Sequence, residues 1–113
     1  MIGAPKAGTT ALFKAICRHP KIYMPRSKEP RYFSYPDIYP SFIGPGTEKN
    51  KRRIFHARQA YLQLFADCPL NFITGEASTQ YLGDHSAAEE AFKHIPFCRL
   101  IAILRHPVDR AYS

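Results

Sequence analysis

The sequence is short of cysteine, of acidic side chains and of long apolar runs. Its three cysteines, Cys17, Cys68 and Cys98, are odd in number and far apart, so no short paired spacing suggests a zinc site or a redox motif. Reduced thiols are expected, with Cys17 and Cys98 as small core side chains and Cys68 in a loop ahead of Pro69. No apolar run is long enough to span a bilayer and no signal peptide is visible, which predicts a soluble, cytoplasmic chain unless an anchor lies outside it. Carboxylates and histidines form no cluster with metal-ligand spacing, and no metal is expected.

Against nine acidic residues stand sixteen Lys and Arg, a formal charge of +7. Such an excess raises the potential over a cleft and favours anionic ligands. It is no signature of nucleic-acid binding, because no zinc-finger spacing, RNP-like aromatic motif or long basic helix accompanies it. The run Lys49, Lys51, Arg52 and Arg53 reads as a solvated surface. A hydrophobic fraction of 45% with 7 Tyr and 8 Phe is that of a globular core, and 113 residues make one small domain. The chain begins almost on its first loop of interest and stops at Tyr112-Ser113, inside a predicted helix start, so residues 1–113 are expected to be a single partial domain.

What is present is concentrated at the start. Met1-Ile2-Gly3-Ala4-Pro5-Lys6-Ala7-Gly8-Thr9-Thr10 runs from a short apolar stretch into a loop bracketed by Gly3 and Gly8 and then into a helix. That glycine spacing suits a turn whose successive N–H groups converge on one anion, aided by the positive end of the following helix. Thr9 stands where a nucleotide-triphosphate P-loop carries its lysine, and the loop's own lysine, Lys6, lies inside the bracket.

Leu12, Phe13 and Ile16 give Thr9–Arg18 a helical face, ended by His19-Pro20. His19 is read as a last-turn residue near the exposed carbonyls. Residues 21–34 read as loop or edge strand, and 35–50, rich in Pro and Gly, as either a substrate-facing flap or a solvent-exposed insertion. A packing helix is predicted over 51–66, with His56 and Arg58 on its surface, and a short buried strand over 71–76 leading into a polar loop, 77–82. Ser86 and Glu89 have capping-box spacing for a helix to about His94. Arg99–Leu104 reads as a central parallel strand buried on both faces, and Pro107 opens the next helix. Alternating strands and helices predict an α/β fold with right-handed crossovers.

Ala4-Pro5-Lys6-Ala7-Gly8-Thr9-Thr10-Ala11-Leu12 resembles the 5'-phosphosulfate loop of sulfotransferases that use 3'-phosphoadenosine 5'-phosphosulfate (PAPS). Arg105-His106-Pro107-Val108-Asp109-Arg110-Ala111-Tyr112-Ser113, directly after the apolar strand, resembles the family's 3'-phosphate motif. Lys28-Glu29-Pro30-Arg31-Tyr32-Phe33 and Gly75-Glu76-Ala77-Ser78 are similar to segments of its heparan-sulfate-type and bacterial branches. The resemblance thus covers nearly the whole chain, with its motifs in the family's order. It implies a P-loop-type, three-layer α/β/α fold around a central parallel sheet, incomplete in this chain.

It also implies sulfuryl transfer from PAPS to a hydroxyl or amine acceptor, a carbohydrate or small molecule, with protein cations in place of a metal. Lys6, Ala7, Gly8, Thr9 and Thr10 would hold the 5' end of the donor, and Arg105 and Ser113 its 3'-phosphate. Lys6 would neutralise charge on the leaving group. Glu29 would be the general base, a role that needs partial burial, for instance against Tyr32 or Phe33; the competing reading is an ion pair with Lys28, Arg26 or Arg31. Lys28 and Glu76 are candidate substrate contacts, Glu76 alternatively a loop holder. The glycan-modifying branch usually has a lysine shortly after this glutamate, whereas here Ala77 and Ser78 follow. For Arg110 a salt bridge to Asp109 or another acid outweighs a ligand role. Two other functions remain: an ATP- or GTP-dependent P-loop phosphotransferase, disfavoured by Thr9 and by the lack of a magnesium-binding acid after an apolar strand, and a non-catalytic, truncated anion-binding module.

Overall fold

A computed structural model of the chain describes residues 1–37 and 54–112. The expected flap and the basic run Lys49–Arg53 lie largely or wholly outside them, as does Ser113.

In chain order the elements are β1 (Ile2–Gly3), α1 (Thr9–Ile16), β2 (Ile22–Tyr23), a 3₁₀ helix (Tyr32–Ser34), α2 (Arg58–Gln63), β3 (Ile73–Thr74), a second 3₁₀ helix (Thr79–Gly83), α3 (His85–His94), β4 (Ala102–Ile103) and α4 (Pro107–Ala111). Pairing is parallel, as the alternation predicts. β1 pairs with β4, Ile2 opposite Ala102 and Gly3 opposite Ile103; β2 pairs with β3, Ile22 opposite Ile73 and Tyr23 opposite Thr74. The β1–β4 approach is close enough to require glycine, since a Cβ on Gly3 would stand 2.7 Å from the Ile103 carbonyl oxygen and 2.8 Å from Thr9 Cγ2.

The core is aromatic and centres on Tyr32, Phe33, Tyr61 and Ala87, with Phe55, Leu64, Phe65, Tyr81 and Ala91 packed around it. Tyr32 stacks on Tyr61 with ring centres 4.5 Å apart, and Phe33 meets Tyr61 edge-on. Tyr32 and Phe33 immediately follow Glu29-Pro30-Arg31, so the core anchors that segment.

Several expectations are corrected. The helix predicted from residue 51 begins at Arg58. Ile54 and Phe55 are apolar for another reason: Ile54 is buried and the Phe55 N–H bonds to the Pro30 carbonyl, so this stretch runs alongside Pro30. The capping box at Ser86 gives way to Asp84, whose Oδ1 accepts from the amides of Ser86 and Ala87, with the Ser86 hydroxyl bonded to the same oxygen. The helix therefore starts at His85. The polar loop after β3 winds into a 3₁₀ helix.

Neither predicted buried strand is buried. Ile73 is exposed in β3; around β4, Leu100, Ile101 and Leu104 are exposed, as are Phe92 and Phe97. β4's principal packing neighbour is β1, and a strand is buried on both faces only where layers cover both. Cys17 and Cys98 are exposed free thiols for related reasons, the first at the end of α1 and the second in the turn before β4.

Candidate functional site

The opening loop is a tight turn between β1 and α1, in which the Ala7 N–H bonds to the Ala4 carbonyl. Lys6 has φ 65° and Gly8, the residue before α1, φ 97°. A left-handed backbone at Gly8 is one that glycine adopts without strain. Thr9 and Thr10 occupy the first turn of α1, where amides have no intrahelical acceptor and the helix end favours an anion. Thr9 is buried, while Lys6, Gly8 and Thr10 are exposed and Ala7 is half-buried.

The second motif reaches the first directly. Arg105, at the carboxyl end of β4, donates from Nη1 to the Lys6 carbonyl at 3.2 Å, across 99 residues of sequence. Parallel pairing of β1 with β4 brings both strand ends, and so both motifs, to one edge.

A second cluster surrounds Glu29. Its side chain is 17% exposed. Lys28 Nζ lies 3.1 Å from Oε1 and Arg31 Nε 3.8 Å from Oε2. Thr79 donates its amide to Oε2 at 2.9 Å and places its hydroxyl 3.0 Å from Oε1 and 3.1 Å from Oε2. Partial burial and the ion pairs therefore coexist, and Lys28 is engaged with Glu29.

The backbone of this segment is stitched to the loop after β3. The Glu29 N–H bonds to the Ala77 carbonyl, and the Arg31 N–H bonds to Ser78 Oγ at 3.1 Å. Glu29 and Arg31 hold φ 64° and 58° on either side of buried Pro30. Such positive values at non-glycine residues cost on the order of 1–3 kcal/mol each and persist only where the surroundings over-determine them.

Glu76 turns inward. Its Oε2 accepts the hydroxyl of fully buried Ser78 at 2.9 Å, and buried Oε1 has no hydrogen-bond partner. Burial pushes the carboxyl above the usual range, against the opposing pull of the Tyr81 and Ser78 hydroxyls. This geometry supports the loop-holding role. An acid whose folded pKa is raised contributes a penalty that is absent below the unfolded value and grows as pH rises through the folded one. Thermal melts should accordingly show the loss of stability above about pH 4.3 to be smaller in Glu76→Gln than in the wild type. Parallel pH profiles for the two would reject that assignment.

Between the clusters lies a cleft of about 470 Å³ lined by Gly3, Pro5, Arg31, Thr79, Gln80, Leu82, Gly83 and Arg110. Neither Lys6 nor Glu29 lines it; Pro5, which precedes Lys6 in sequence, and Thr79, which is bonded to Glu29, do. Arg31, Thr79 and Gln80 were not legible as site residues, and Arg110 lines the cleft although sequence reasoning favoured a purely structural role. A strand running into a polar loop was the one available signal for Thr79 and Gln80. Among the described residues no group of three or more His, Cys, Asp or Glu side chains is placed to hold a metal, and no helix is long and apolar enough to cross a membrane.

The described chain is similar over 99% of its length to the crystal structure of a sulfotransferase from Alicyclobacillus acidocaldarius, with TM-score 0.89 and 37% identity, and covers 45% of that chain. The chain belongs to the sulfotransferases. Human bifunctional heparan sulfate N-deacetylase/N-sulfotransferase 3 is 30% identical over 116 residues, which is all of this sulfotransferase chain and 12% of the human protein. Membrane-associated sulfotransferase kil1 of Dictyostelium discoideum is 28% identical over 113 residues, again the whole chain, and 21% of kil1. No family model matches. The sulfotransferase chain thus spans less than half the length of each of these proteins.

Proposed function

We propose that this chain holds PAPS and transfers its sulfuryl group to a hydroxyl or amine acceptor, with the donor clamped between the opening loop and the Arg105 motif. The observation that carries this reading is the bond from Arg105 to the Lys6 carbonyl. It brings the two motifs together, which supports a single site for a donor phosphorylated at both ends. The cradle fits the 5' end: helix-start amides and a cation suit a phosphosulfate. Arg105 fits the 3'-phosphate through its planar donor fork, and Ser113 belongs to the same proposal.

PAPS supplies the sulfuryl group, and its departure leaves adenosine 3',5'-bisphosphate. The bond from sulfur to the bridging phosphate oxygen breaks as a bond from the acceptor oxygen or nitrogen to sulfur forms. Lys6 and the amides of Gly8, Thr9 and Thr10 neutralise charge on the leaving oxygen, and Glu29 takes the acceptor's proton. The carboxylate has room for it: two oxygens offer about four acceptor positions, and Lys28 and Thr79 direct three donors at them. Arg31, Gln80 and Arg110 on the walls of the cleft suit a glycan acceptor, and a named relative is a heparan sulfate N-deacetylase/N-sulfotransferase. Lys28 and Glu76 contribute by holding Glu29 and its supporting loop. Work in the cytoplasm is part of the proposal, set against a relative described as membrane-associated.

Glu29→Gln tests the base. Release of adenosine 3',5'-bisphosphate from PAPS should fall by about 10²–10⁴-fold while binding of the bisphosphate itself stays unchanged. Wild-type turnover in that variant would remove Glu29 from the chemistry.

A further inference from the structure

We infer that Thr79 is a positioning residue for Glu29, setting which face of the carboxylate is open to the acceptor; this rests on the general-base reading of Glu29 above. Without Thr79, Glu29 has two flexible cations as side-chain partners, Lys28 at 3.1 Å and Arg31 at 3.8 Å. Both are long side chains with several rotatable bonds, which by themselves define the carboxylate's rotation less closely than a short side chain on a fixed backbone does. Thr79 differs in kind. Its amide belongs to the first residue of a 3₁₀ helix, fixed by the backbone, and its short β-branched side chain has little rotamer freedom. Amide and hydroxyl together touch both carboxylate oxygens, so they fix the rotation of the group as well as its place.

The surroundings make the contact rigid from both sides. Glu29 is tied through its own N–H to Ala77, and Arg31 through its N–H to Ser78, so the segments 29–31 and 77–79 move as one unit. Ser78 is in turn bonded to Glu76. Thr79 also lines the cleft beside Arg31 and Gln80. Thr79 thus ties the Glu29 carboxylate to a residue of the cleft wall. A displacement of about 1 Å at such a group can cost about 100-fold in rate.

The inference separates hydroxyl from fold. In Thr79→Val the shape and the amide remain and the hydroxyl is lost; in Thr79→Ser the hydroxyl returns. With glutamate carboxyl carbons labelled with ¹³C, the Glu29 signal, assigned by its loss in Glu29→Gln, should shift in Thr79→Val and return in Thr79→Ser, with other glutamate signals unmoved. In parallel, kcat for bisphosphate release from PAPS, with water as the acceptor, should fall about tenfold or more in the valine variant at unchanged KM for PAPS, and recover in the serine variant. An unmoved Glu29 signal in Thr79→Val, or a serine variant that stays impaired, overturns the inference. If Glu29→Gln abolishes release while Thr79→Val matches wild type, Thr79 alone falls; if Glu29→Gln turns over normally, the general-base reading falls and Thr79 with it.

Discussion

Lys6→Ala should reduce sulfuryl transfer by about 10²–10³-fold in kcat, the size seen when one donor to a developing negative charge is removed. The loop holds Lys6 in a left-handed conformation between Pro5 and Ala7, inside the bracket of Gly3 and Gly8. Its amine is exposed, and its main-chain carbonyl carries the bond to Arg105. Truncation to alanine removes the amine and leaves the carbonyl, so the cradle and its tie to the second motif should survive. Binding of adenosine 3',5'-bisphosphate, which lacks the sulfuryl group, should consequently weaken far less than kcat falls. That split is the diagnostic. Equal losses in affinity and in kcat would make Lys6 a simple anchor, and unchanged kcat would exclude it from the chemistry. Stopped-turnover release of the bisphosphate, with binding measured separately, reads both.

Arg105→Ala should do the reverse. Hydrogen bonds to charged groups contribute about 1.5–3 kcal/mol, so bisphosphate affinity should drop by roughly 10- to 150-fold, with the loss concentrated in the 3'-phosphate. Adenosine 5'-monophosphate, which has no 3'-phosphate, should bind the variant and the wild type alike. Arg105→Lys should recover only part of the loss, since an ammonium is a point charge without the guanidinium's planar fork. Arg105 also holds the Lys6 carbonyl at 3.2 Å, but β1 and α1 fix that loop on either side, so kcat should fall less than affinity does. A variant that loses 5'-monophosphate binding to the same extent would show that Arg105 serves the loop rather than the 3'-phosphate.

The parts of the site legible in the sequence are those that short-range backbone chemistry dictates. Gly3 and Gly8 stand where a close strand approach and a left-handed residue require them, and an apolar run ending in Arg105 places that arginine at a strand end. The Glu29–Thr79 contact was not legible, because a hydrogen bond across 50 residues leaves no period or spacing behind. Asp84 displaced the expected Ser86 cap because its carboxylate collects the Ser86 and Ala87 amides and also the Ser86 hydroxyl, the group that cap would have used. Ile54 and Phe55 completed a helical pattern that ends up packed along Pro30 instead. The strand at 99–104 reads as buried on both faces, and its composition is right for that. Burial is a property of neighbouring layers, however, and among the described residues β1 alone pairs with it.

Isothermal titration of the wild-type chain with adenosine 3',5'-bisphosphate and, separately, with ATP and magnesium tests the two-phosphate clamp most directly. The clamp predicts clear preference for the bisphosphate, with no gain from magnesium. Equal binding of both nucleotides, or preference for ATP with magnesium, would contradict it.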